Sequence, residues 1–115
     1  MALLNSVISW IMKQRIHQIE LFIKYPNEMQ NDCLQWLVSS AKKTEWGTHY
    51  DYKSIETREQ FTERVPINTY DDLRPYIERL RKGEQNILWP QEIKWFAKSS
   101  GTTSDKSKFI PMSED

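Results

Sequence analysis

Apolar residues return at three- and four-residue steps as far as Leu80, and after Glu92 they gather into short extended runs instead. That change of period constrains the fold more than any other feature. A 3.6-residue period places side chains on one face of a helix, whereas short runs rich in aromatic and β-branched residues suit strands. The sequence therefore predicts a mainly α chain with one C-terminal β-hairpin, its helices within 1–83 and its connector and hairpin within 84–115.

Leu4, Val7, Ile8, Ile11, Met12, Ile16, Ile19, Phe22 and Ile23 form the longest such stripe. They predict an amphipathic helix from about Leu3 to Lys24, ended at Tyr25 because the residue before a proline disfavours helical angles. The opposite face mixes Lys13, Gln14, His17, Gln18 and Glu20, which argues against a basic membrane-surface helix. Asn27, with Gln30 at the third helical position, is read as the cap of a second helix. Met29, Cys33, Trp36, Leu37 and Ser40-Ala41 form its stripe, and Gly47 is read as its left-handed stop. Two helices joined so closely are expected to pack antiparallel.

Thr48 to Ser54 is read as a loop. Thr57, with Gln60 three residues on, starts a short helix through Arg64, and Val65-Pro66-Ile67 breaks it. Thr69 caps the next, where Asp71 and Asp72 suit the positive end of the helix dipole better than they suit a metal. Pro75 is expected to break or restart that helix. Tyr76, Ile77 and Leu80 line one side, and Gly83 stops it.

Sixteen basic residues balance sixteen acidic ones, so no strong pull on nucleic acid or anionic membrane is indicated. Cys33 is the single cysteine, which rules out an internal disulfide; it is expected to be a small buried hydrophobe rather than a nucleophile. With His17 and His49 far apart in sequence, no metal site is predicted, and nothing near His49 requires it to be a general base. The apolar start lacks the flanks of a signal peptide and is too short to span a membrane, so the expected location is cytoplasmic.

The chemistry lies in Trp95-Phe96-Ala97-Lys98-Ser99-Ser100-Gly101-Thr102-Thr103-Ser104-Asp105-Lys106-Ser107-Lys108-Phe109-Ile110. Hydroxyls, one glycine and several lysines stand between two runs that contain apolar residues. Glycine admits close backbone approach, and hydroxyls with neighbouring N–H groups can form an anion nest. A Walker A loop is excluded, because Lys106 stands where its second glycine belongs and Phe109-Ile110-Pro111 reads as extended chain. Ser113-Glu114-Asp115 looks like the cap and first turn of a further helix, so 1–115 is read as an incomplete N-terminal portion of a larger domain.

These residues resemble the GH3 family of acyl-acid amido synthetases, in wording closest to its bacterial branch. The matching stretches are Arg15-Ile16-His17-Gln18-Ile19-Glu20, Thr44-Glu45-Trp46-Gly47, Val65-Pro66-Ile67, Tyr76-Ile77-Glu78-Arg79 and Ile93 through Thr103. Ser-Ser-Gly-Thr-Thr with a lysine shortly after is similar to the first nucleotide-binding motif of adenylate-forming enzymes. The resemblance implies the start of an α/β adenylate-forming large domain, like that of acyl-CoA synthetases and luciferases. It implies an ATP-dependent ligase that activates a carboxylic acid as an acyl-adenylate and passes the acyl group to an amino acid amine. ATP with Mg2+ would serve the full-length enzyme, with none held tightly by these 115 residues.

By motif position Ser99, Ser100, Gly101, Thr102 and Thr103 would meet phosphates, and Lys108 is the motif lysine. Asp105 stands where such loops often carry glycine, and an acid there opposes a polyphosphate. No complete catalytic set lies in this chain, so it is expected to be inactive alone. The alternative is a free-standing helical interaction module that keeps the loop as a relic. Self-association is expected through uncovered helix faces or an exchanged hairpin.

Overall fold

The computed structural model describes residues 1–101 and 107–115. These form two compact units, Met1–Leu34 and Gln35–Asp115. Helix α1 spans Ala2–Lys24 and α2 spans Pro26–Ala41. Then come α3 (Glu45–His49), a 3-10 turn (Tyr52–Ser54), α4 (Arg58–Arg64) and α5 (Tyr70–Arg81). Strands β1 (Trp95–Lys98) and β2 (Phe109–Met112) close the described chain. The mainly helical architecture with one hairpin is as the periodicity predicts.

The stripe of α1 makes a helix but not a core. None of its residues is buried, and Leu4, Val7, Ile8, Ile11, Ile16 and Ile19 all remain exposed. Packing as half of an antiparallel pair would have covered them. Pro26, not Asn27, opens α2, since the first helical position needs no N–H and tolerates proline's fixed φ. The buried residues of α2 are Val38 and Ala41, while Trp36 and Leu37 stay exposed. Of the expected stripe only Ala41 is buried, the inward face takes in Val38 instead, and Cys33 is exposed, not buried.

Gly47 is not a helix stop. The second helix ends at Ala41, and Thr44 caps α3, with Gly47 buried inside it. The Thr44 hydroxyl donates to the Ala41 carbonyl (2.7 Å) and accepts the Gly47 N–H (3.0 Å). A Cβ on Gly47 would collide with the Ala41 carbonyl oxygen, so glycine serves close approach here rather than a positive φ. Thr48 and His49 accordingly belong to α3 instead of a loop.

Capping boxes at Thr57 with Gln60 and at Thr69 with Asp72 start α4 and α5 where the sequence places them. The N–H and hydroxyl of Thr69 hold Asp72 below the usual carboxylate range. Pro75 does not break α5, which runs through it. The lost N–H bond falls on an exposed side, and Ile77 and Leu80 beyond it are buried at 3% and 2% exposure. Gly83, at φ 101°, closes the helix: its N–H donates to Leu80 and that of Glu84 to Arg79.

The core of the second unit gathers Leu80, Ile87 and Ile93 under Tyr76, Leu88 and Phe96. Burying a side chain of this kind is worth about 1.5–3 kcal/mol. The connector after Gly83 is more ordered than its composition suggests. Its Asn86 and Ile87 carbonyls accept the first two N–H groups of α3, at 3.0 and 2.9 Å. Arg79 grips both carboxylate oxygens of Glu45 and also Glu84. That contact holds Glu45 below its ordinary pKa and raises Arg79 above its own.

Candidate functional site

The strands pair antiparallel, Trp95 opposite Met112 through Lys98 opposite Phe109, and so bring the two ends of the hydroxyl-rich loop together. Ser99 fastens the neck. Its N–H donates to the Lys108 carbonyl (2.9 Å), and its hydroxyl accepts the Lys108 N–H (3.0 Å). Ser99 is half-buried, while Ser100, Gly101 and Lys108 are exposed. Thr102 and Thr103 lie outside the described residues. The structure thus joins Ser99 and Lys108 directly, and gives Ser99 a closing role that motif position alone does not reveal.

Among the described residues four cations lie near the neck, each over an aromatic ring. Arg81 lies 3.8 Å from the Phe109 ring centroid and Lys98 5.9 Å from it. Lys108 sits 5.7 Å from the Tyr70 ring and Arg74 5.5 Å from it. Such contacts hold a cation while leaving its N–H groups available. Arg74 and Arg81 also pair with Asp71 and Glu78, each at 2.8 Å, so their charge is partly spent. Lys98 and Lys108 carry no ion pair among the described residues.

Two side chains outside the motif satisfy backbone groups of this segment. Tyr70, at the start of α5, donates its hydroxyl to the Phe109 carbonyl (3.1 Å) and accepts the Phe109 N–H (2.8 Å). Gln85 does the same for Ile93: its amide oxygen accepts the Ile93 N–H (2.9 Å) and its amide nitrogen donates to the Ile93 carbonyl (3.3 Å). Backbone groups on the outer side of β2, and of the chain leading into β1, need partners, and these phenol and amide groups supply them. Sequence reading missed both. Tyr70 looks like a first-turn residue and Gln85 like a connector residue, and neither reveals a partner 39 or 8 positions away.

Trp46 and Glu45 tie α3 to α5. Trp46 meets Tyr76 edge-on at 5.3 Å and donates to the Tyr52 hydroxyl at 3.0 Å. With Glu45 bound to Arg79, Thr44–Gly47 and Tyr76–Arg79 become one clamp. Val65 to Ile67 is an extended break whose Val65 is the C-cap of α4.

Among known proteins, residues 15–115 match the GH3 family N-terminal domain. Indole-3-acetic acid-amido synthetase GH3.2 of Arabidopsis thaliana is 32% identical over 98 residues, which are 84% of this chain and 18% of that protein. Jasmonoyl--L-amino acid synthetase JAR4 of Nicotiana attenuata is 32% identical over 101 residues, 87% of this chain and 18% of that protein. A solved structure of GH3.15 acyl acid amido synthetase is similar with a TM-score of 0.74 at 28% identity, over 84% of this chain and 18% of that one. The chain thus spans less than a fifth of the length of these relatives.

Proposed function

This chain belongs to the GH3 family, and from that premise we propose that it supplies the phosphate-contacting part of an ATP-dependent amide-forming ligase. The acid substrate's carboxylate attacks the α-phosphorus of ATP, the bond to pyrophosphate breaks, and an acyl-adenylate forms. An amino acid amine then displaces AMP from the acyl carbon and loses its proton. Negative charge grows on the departing pyrophosphate, so donors aimed there act on the transition state more than on bound acid. Ser99, Ser100, Gly101, Thr102, Thr103 and Lys108 are the groups proposed to meet those phosphates.

The paired stems carry this reading. They hold a hydroxyl-rich loop between two lysines that have no ion-pair partner among the described residues. The donor set suits phosphate oxygens, which Mg2+ would accompany as ATP's counter-ion. The acyl pocket and the adenine contacts would lie elsewhere in a longer protein. No described helix is long and apolar enough to cross a membrane, and a cytoplasmic setting is part of the proposal.

Two assays test it. The 115 residues alone should release no pyrophosphate from Mg-ATP with any carboxylic acid and should bind ATP only weakly, because phosphate contacts act without a base pocket. In a longer protein that carries this segment, Ser100→Ala should slow adenylation about tenfold or more with little change in KM for the acid. Low-micromolar ATP affinity of the 115 residues, or a loss confined to acid affinity, would count against the assignment.

A further inference from the structure

We propose that Tyr70 is a positioning residue for an anion-binding Lys108, acting through the backbone of Phe109 and through its own ring. Strand β2 is held from two sides. On one side β2 pairs with the four residues of β1. On the other, the Phe109 N–H and carbonyl both end on the Tyr70 hydroxyl, at 2.8 and 3.1 Å. A single phenol thus stands where a third strand would run. Tyr70 is also the first residue of α5, and α5 is anchored in the core by Ile77 and Leu80. Its capped first turn sets the backbone that carries the phenol.

The same ring receives the Lys108 ammonium at 5.7 Å, so one side chain sets both the strand and the cation just before it. Arg81, from the last turn of α5, covers the Phe109 ring at 3.8 Å and grips the strand residue from the other end of the helix. Helix α5 therefore holds Lys108 beside the neck closed by Ser99. The inference rests on the reading of the loop as an anion site, but the strand contact stands apart from it.

The 115-residue chain tests the two parts separately with Tyr70→Phe, which keeps the ring and removes both hydrogen bonds. Amide hydrogen exchange at Phe109 should quicken about tenfold while melting of the helical core is little changed. Titration with inorganic tripolyphosphate, followed by the Ser99 amide resonance, then runs as a cycle with Lys108→Ala. Each single variant should weaken binding by about five- to tenfold, and the double variant should be no worse than Lys108→Ala alone. A merely structural loss would multiply with the lysine loss instead. Unchanged Phe109 exchange, or losses that multiply, would overturn the inference. If the unsubstituted chain does not respond to tripolyphosphate, the anion reading falls, and exchange at Phe109 alone decides whether Tyr70 holds the stem.

Discussion

Helix α1 has 23 residues and buries none of them; α5 has 12 and buries Ile77 and Leu80. Both carry apolar residues at helical spacing. They differ in their ends and in what they touch. α5 begins with a capping box and two acidic first-turn residues, and its last turn closes on Gly83. α1 has neither a side-chain cap nor an acidic residue in its first turn. Periodicity is thus enough to write a helix, but a helix becomes part of a core only where other elements meet it. The functional consequence lies with α5, which reaches the loop through Tyr70 and Arg81.

The sharpest way to break this contrast is to remove one apolar side chain from each helix. Leu80→Ala should destabilise the Gln35–Asp115 unit by about 2–5 kcal/mol in urea unfolding, as large-to-small core changes do. Ile11→Ala, at a position 45% exposed, should change stability by no more than about 0.5 kcal/mol. Similar losses at the two sites would show that α1 is covered in solution.

A second test asks what such a cover would be. We propose that the uncovered stripe of α1 supports self-association, since apolar stripes pair between copies and the balanced charge offers no barrier. Sedimentation equilibrium should report dimers or larger species, and Ile8→Glu with Ile11→Glu should weaken association by about tenfold or more. A monomer at high concentration would sink the idea and leave the stripe without a role in these 115 residues.

The smallest effect concerns the ends of the helices. Asp72 is held below the usual carboxylate range by the Thr69 N–H and hydroxyl, so its folded pKa lies below its unfolded one. Its contribution is present above the ordinary carboxylate pKa and fades as pH falls through the depressed value. Asp72→Asn should flatten the acid side of the stability profile of α5, followed by thermal melting from neutral to acid pH. An unchanged profile would show that the cap does not titrate with folding.

Local signals were legible wherever a residue acts on its own neighbours in sequence. Thr57 with Gln60, Thr69 with the acids after it, Gly83 and the two strands all fall where spacing and residue type place them. The two strands that flank the hydroxyl run were legible for the same reason, while residues 102–106 between them lie outside the described residues. Tertiary structure decided everything that needs a partner far along the chain. It chose Val38 and Ala41 over Trp36 and Leu37 as the inward face of α2, because burial depends on which side meets the core. It kept α5 intact through Pro75, and it made Gly47 a point of close approach to Ala41 instead of a stop. Gln85 and Tyr70 became partners of Ile93 and Phe109 for a related reason. A buried or paired backbone group must find a donor or acceptor somewhere, but its own sequence does not say which distant side chain the fold will bring to it.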